Sequence, residues 1–292
     1  MFSRLFKKQP KSPSPEYETS WRSIDWREDK EKLLTTINNF KPGNSEVNTL
    51  RILMHGPQGA GKSSFFNSVD SVFQGRNTTR AQAHAVETDR SFTVTCKTYK
   101  LKNKAGSAYP FTFTDIAGMH KAEDNVMTDD IIKLLNGHIK SGYIFNPNSP
   151  ITEEDPKYNK KPILKDKIHC LVAVIAADTV SMQSHDVFKQ LRDVREKARD
   201  LCIPQVIIMT KVDEICPLVK EDLTTIYRSK KIKQKMEECS VNLGVPLNCI
   251  FPVKNYHQER TTDTTIDILI LDALQNIIYF ANDHVEDEVD SE

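Results

Sequence analysis

Eight consecutive residues, Gly56-Pro57-Gln58-Gly59-Ala60-Gly61-Lys62-Ser63, put a lysine and a hydroxyl at the end of a glycine-rich turn in the pattern G-x-x-x-x-G-K-[ST]. That composition suits an anion. Gly56 and Gly61 let the backbone turn sharply and come close to phosphate oxygens without Cβ clashes. The amides from Gly59 through Ala60, Gly61, Lys62 and Ser63 to Ser64 can point at those oxygens, helped by the positive end of the helix that follows. Lys62 brings a mobile positive charge to the β- and γ-phosphates. The Ser63 hydroxyl is small enough to enter the oxygen shell of Mg²⁺. The required flanks are present: the apolar run LRILMH at residues 50–55 reads as a strand, and Phe65, Phe66, Val69, Val72 and Phe73 repeat at helical spacing.

A phosphate loop does not choose its nucleotide. Thr210-Lys211-Val212-Asp213 follows the apolar run at residues 203–209. A carboxylate at a strand end can accept two parallel hydrogen bonds from N1–H and the 2-amino group of guanine, whereas adenine would leave it unpaired. The Lys211 stem can lie along the base. Thr210 is shorter than the Asn more often found there, which predicts a looser fit. A further strand ends at Pro252-Val253-Lys254-Asn255, where backbone amides can reach the base oxygen. Asp115-Ile116-Ala117-Gly118 ends another run; Asp115 is placed to hold Mg²⁺ through a water and Gly118 to offer its amide to the γ-phosphate. Thr78, Thr79 and Thr88 compete for the switch threonine between Lys62 and Asp115, and the reading adopted is Thr79 as a metal ligand. The residue after Gly118 is Met119, where Ras-like proteins use a Gln to orient water. His120 and Gln58 remain as groups able to position water beside Lys62. The expected turnover is slow, no faster than the roughly 10⁻⁴ s⁻¹ scale of unassisted Ras. A non-hydrolysing GTP-binding scaffold and a small-molecule kinase are the alternatives, the second opposed by Asp213.

The elements that must position these groups alternate between strand and helix. Strands are expected at residues 50–55, 91–101, 110–114, 168–177, 203–209 and 248–253. Helices are expected around Leu33, Leu34, Ile37 and Phe40, at 127–138, at Val187 to Leu201, and at Ile266 to Ile278. The pattern predicts an α/β fold: a P-loop NTPase G domain with a mainly parallel sheet covered by helices on both faces. The domain layout expected is a flexible basic arm at 1–18, a lead-in helix at 19–45 packed on the G domain, the G domain at 46–282 and an acidic tail at 283–292. The 119–166 connection, rich in proline, reads either as a lid or partner surface or as a decorative insertion. The basic run Arg228, Lys230, Lys231, Lys233 and Lys235 reads as a solvated helix face.

Composition sets outer limits. The 292 residues carry 40 basic and 40 acidic side chains, a balance that argues against a protein that mainly coats nucleic acid. The longest apolar runs, such as CLVAVIAA, fall short of the roughly 20 residues a bilayer crossing needs, so no transmembrane segment is expected. Six scattered cysteines without a CxxC pair, and no secretory signal, read as a reducing, cytoplasmic setting.

Taken together, WRSIDWREDKEKLL, GAGKSSFFNSVDSVFQG, KTYKLKN, KDKIHCLVAVI, TKVD, VKNY and DILILDAL resemble the interferon-induced protein 44 family, with its 44-like relative, from Trp21 to about Asp283. The resemblance implies a cytoplasmic GTP-binding protein of the interferon-induced antiviral response, using GTP/GDP and Mg²⁺ and acting through a protein partner in immune signalling. Family members carry an additional N-terminal TLDc-type domain; only a short arm stands there in this chain, so that domain's function is expected to be absent. A weaker resemblance to dynamin-type GTPases, carried by Gln58, DIAGM and TKVD, implies catalysis by Gln58 and a homodimer through the G domain. The stalk-length helical region of that class is not seen here, which argues against membrane remodelling by polymerisation.

Overall fold

The structure, a computed structural model, describes residues 14–27, 29–81, 95–116, 127–181 and 185–288. Its apolar runs become strands: β1 (Leu50–His55), β2 (Lys97–Lys102), β3 (Ala108–Asp115), β4 (Cys170–Ala176), β5 (Gln205–Thr210) and β6 (Ile250–Pro252). They form one sheet in the order β2-β3-β1-β4-β5-β6, parallel throughout except for β2, which runs antiparallel to β3. The mainly parallel α/β sheet expected from the alternation is therefore the one observed. β1 has β3 on one side and β4 on the other, so the chain departs in opposite directions from its carboxyl end. Such a point opens a crevice at the strand tips.

The helices are α1 (Asp29–Asn38), α2 (Lys62–Gln74), α3 (Thr128–Leu135), α4 (His185–Asp200), α5 (Val212–Ile215), α6 (Pro217–Glu221), α7 (Lys230–Leu243) and α8 (Thr264–Asp287). α2 packs on α8, and α8 lies along β4, β1 and β6, while α4 lies on β4 and β5 between α3 and α7. α2 meets the sheet through aromatic edges, Phe65 and Phe66 against Phe113 and Phe66 against Tyr99. α1 is tied to α8 by the Lys30–Asp267 ion pair at 2.8 Å and to β3 by Tyr109 Oη donating to Asn38 at 2.5 Å.

Several boundaries differ from the sequence reading. Residues 14–18, expected in the flexible arm, are docked: Tyr17 N–H donates to Arg228 O, Lys230 N–H to Pro15 O, and Arg228 pairs with Glu16 at 2.8 Å. The basic run beside α7 is thus partly engaged, with Lys230 and Lys233 over the Tyr17 ring. The acidic tail expected from 283 begins later, because α8 continues through Asp287 with His284 and Val285 buried and Asn44 Nδ2 donating to Val285 O. The last strand shrinks to three residues, since Leu247–Cys249 form a 3-10 turn. Residues 1–13, 91–94 and 289–292 lie outside the described residues. Among the described residues, α8 is the one helix long and apolar enough to cross a bilayer by length and composition; most of its apolar residues, Ile268, Leu271 and Leu274 among them, are buried within the protein.

The described part of the 119–166 connection is packed. Ile131, Leu134, Ile139, Tyr143, Phe145 and Ile151 are buried, and Cys96 and residues 142–143 exchange backbone hydrogen bonds beside β2. Its end reaches the first residues of β1, where Arg51 donates to Asp166 O. That is the opposite end of β1 from the glycine-rich turn.

Candidate functional site

β1 delivers the chain to Gly56 at the sheet's carboxyl edge. Gly56 has φ +142°, and a Cβ there would come within 2.2 Å of Val174 O. Gly61 is left-handed at φ +92°, and its Cβ would press on Asn255 Nδ2 at 3.0 Å. Only glycine satisfies both the angles and the space. Gln58 and Gly59 are exposed at the tip of the loop, Ala60 is buried beneath it, and Ser64 is half-buried in the first turn of α2. The Lys62 ammonium is buried and folds back over the loop, donating to Gly56 O at 2.9 Å and Pro57 O at 3.0 Å. Ser63 Oγ donates to Asp115 Oδ2 at 3.2 Å, joining the loop to the end of β3.

The electrostatics of this end are unbalanced. Burial pushes the Lys62 ammonium below its ordinary value and the Asp115 carboxyl above its own, and each is partly restored by the other's charge. Asp115 Oδ1 is buried without a hydrogen-bond partner among the described residues. An orphaned carboxylate oxygen beside a serine hydroxyl is the donor set of a hard cation that completes its shell with phosphate and water. No group of three or more His, Cys, Asp or Glu converges among the described residues, so an all-protein metal cage is not what they build.

The TKVD segment stands beside the loop. Thr210 Oγ1 donates to Ala60 O at 2.6 Å, and Asn255 Nδ2 donates to Gly61 O at 3.3 Å. The short Thr210 side chain thus reaches the loop carbonyl directly. Lys211 adopts a left-handed conformation at φ 57° and pairs with Asp178 at 3.5 Å. Asp213 sits half-buried in α5, 4.0 Å from Lys254 Nζ, which also binds Glu259 at 2.7 Å. Burial alone would raise the Glu259 carboxyl, but the His257 amide and Lys254 hold it down to about 2. Asp178, Glu259 and the Asn255 side chain were not singled out by sequence. Asp178 has a signal in retrospect, as the first acid after the buried run that ends β4.

Other expected residues are not brought together. Thr79 is exposed on a segment fastened to α2 beyond Ser63: Thr78 N–H donates to Ser71 Oγ, Arg80 pairs with Asp70 and Ala81 N–H donates to Asn67 Oδ1. These anchors lie one to two helical turns from Ser63, and no hydrogen bond among the described residues joins Thr79 to the Ser63–Asp115 pair. Thr88, Gly118, Met119 and His120 lie outside the described residues.

No protein-family model matches the chain. Among solved structures it is similar to a probable GTP-binding protein engB, with a TM-score of 0.42 and 13% identity over 79% of this chain and 97% of that one. It is 36% identical over 259 residues to human interferon-induced protein 44, covering 88% of this chain and 58% of that protein. It is 36% identical over 256 residues to the mouse protein, covering 87% and 60%, and 34% identical over 268 residues to human interferon-induced protein 44-like, covering 91% and 59%. The chain thus spans about three fifths of the length of these curated relatives. Over nearly all of its own length, it is a homologue of interferon-induced protein 44 and of the 44-like protein.

Proposed function

We propose that the chain binds guanine nucleotide with Mg²⁺ and acts as a nucleotide-dependent switch or scaffold in an interferon-induced antiviral response. One observation carries the nucleotide reading. The anion cradle of Gly56 to Ser64 and the Asp213 segment lie at one sheet edge and are tied by Thr210 Oγ1 to Ala60 O and Asn255 Nδ2 to Gly61 O. In this reading Lys62 exchanges two loop carbonyls for phosphate oxygens, and the loop amides hold the remaining phosphate charge. Ser63 and Asp115 hold Mg²⁺, the carboxylate through a water, and the metal supplies charge neutralisation at the phosphates. Asp213 accepts from the guanine edge, with Lys211 along the base and Lys254 steadying the carboxylate.

Hydrolysis of GTP to GDP and phosphate is slow in this reading. Gln58 is exposed at the loop tip and has no hydrogen-bond partner among the described residues, so no described residue aims it at a water. Self-association through this face would supply that constraint. The second reading, a GTP-binding scaffold that does not hydrolyse, rests on the same exposed Gln58.

Isothermal titration with GTP, GDP and ATP in Mg²⁺ separates these readings. GTP and GDP should bind and ATP should not. Asp213→Asn should weaken GTP by about tenfold to a hundredfold and gain xanthosine triphosphate, since one charge-assisted acceptor is exchanged for a donor. Preference for ATP would overturn the proposal. Phosphate release that rises with protein concentration supports the self-associating GTPase, and no release at any concentration leaves the scaffold.

A further inference from the structure

A second polar cavity lies at the other end of the sheet, and its chemistry is that of an anion site. Arg51, Thr112 and Lys100 stand in one row across β1, β3 and β2, as the pairings Arg51↔Thr112 and Lys100↔Thr112 require. Thr112 alternates with Phe111 and Phe113, which face α2, so this row occupies the opposite face. Thr98 continues the floor, and the 119–166 connection supplies Lys165 and Asp166 at the rim of a groove of about 470 Å³.

No apolar side chain lines it. Small-molecule sites of roughly 300–1,000 Å³ are ordinarily walled by hydrophobic and aromatic groups with a few polar ones. A groove built from cations and hydroxyls suits a ligand dense in charge and hydroxyl groups. The charge count favours an anion. Asp166 is the one carboxylate, and its Oδ2 already accepts from Asn159 Nδ2 at 3.2 Å and Ile163 N–H at 3.1 Å. Lys100 and Lys165 are exposed and have no ion-pair partner among the described residues. Arg51 donates one N–H to the Asp166 carbonyl and keeps further donors in its planar fork. Burial lowers the Arg51 guanidinium from its ordinary value despite Asp166, so its charge is incompletely compensated.

We propose that this groove is a second ligand site, separate from the nucleotide cradle, that binds a multiply phosphorylated small polyol through Arg51, Lys100 and Lys165. The same chemistry is offered by a soluble polyol phosphate and by a phosphoinositide headgroup. The proposal does not depend on which nucleotide the other end prefers.

The test uses the full chain and the variant Lys100→Glu/Lys165→Glu, whose two sites are exposed and should leave folding intact, checked by its melting temperature and GTP titration. Titrated with myo-inositol hexakisphosphate, the wild type should bind at one saturable site, and the variant should lose about tenfold or more in affinity. In parallel, sedimentation is measured with phosphatidylcholine vesicles with and without phosphatidylinositol bisphosphate. Charge-dependent binding only to the phosphoinositide vesicles assigns the headgroup, and binding only to the soluble probe assigns the free polyol phosphate. Failure of both probes to bind, or equal affinity in wild type and variant, overturns the proposal.

Discussion

β4 and β3 lie on either side of β1, yet they are built by different rules. β4, CLVAVIA, is buried at every position because helices cover it on both faces. β3, AYPFTFTD, alternates: Tyr109, Phe111 and Phe113 pack on aromatic neighbours in α2, while Thr112 and Thr114 point to the other face. There Thr98 and Thr114 share a hydrogen bond at 3.2 Å, and Arg51 and Lys100 replace the hydrophobic residues a helix would need. Among the described residues, α2 is the helix packed on β3 and β2, and it covers one face of them. Half of the sheet is a closed sandwich, and the other half presents a polar floor beneath the 119–166 connection.

The largest effect should come from breaking the closed half. Val172→Asp places a carboxylate in a strand buried on both faces, and it should cost about 4 kcal/mol or more, read as loss of a cooperative unfolding transition. Acid tests the seam between the halves. His169 is buried at the seam; its Nδ1 accepts from Arg51 N–H at 3.0 Å and its Nε2–H donates to Leu164 O at 3.0 Å. Burial, with nearby cations, holds it near 4 against an ordinary 6.5, so between those values the unfolded chain binds more protons than the folded one. Stability should therefore fall as pH drops from about 6.5 to 4, by up to about 3 kcal/mol from this residue, checked by denaturant midpoints across pH. His55, held near 3 by burial and the Lys62 charge, adds in the same direction. The smallest effect belongs to the polar floor: Thr112→Val removes a 3.3 Å hydrogen bond to Leu50 O and should change stability by less than about 1 kcal/mol. A cost equal to that of Val172→Asp would mean the two halves are packed alike.

The contrast explains what the sequence made legible. β4 and β5 are readable because strands buried on both faces leave apolar runs, and β1 because only Arg51 and His55 interrupt its own. The phosphate loop was readable because its chemistry is contiguous, from Gly56 to Ser63. The contact from Thr210 to Ala60 is not legible in the sequence, since it depends on how closely two loops 150 residues apart approach. The setting of Thr79 is illegible for the same reason: Asn67, Asp70 and Ser71 on α2 bind its neighbours, and no periodicity reveals side chains that hold a loop. The polar floor was invisible, because Arg51, Lys100 and Lys165 come from three separate segments and none of them breaks a local rule.

The docked N-terminal segment of residues 14–18 leads on to Trp21 and Arg22 at the opposite margin of the sheet. β6 is the terminal strand, and Arg22 donates to Ile250 O at 2.9 Å and Leu247 O at 2.8 Å while lying over Trp21, Tyr227 and Phe251. A bare terminal strand is a template on which a second molecule can extend the ladder. Here one guanidinium caps a carbonyl of that short strand and another of the turn before it, which leaves fewer free acceptors for a second molecule to pair with.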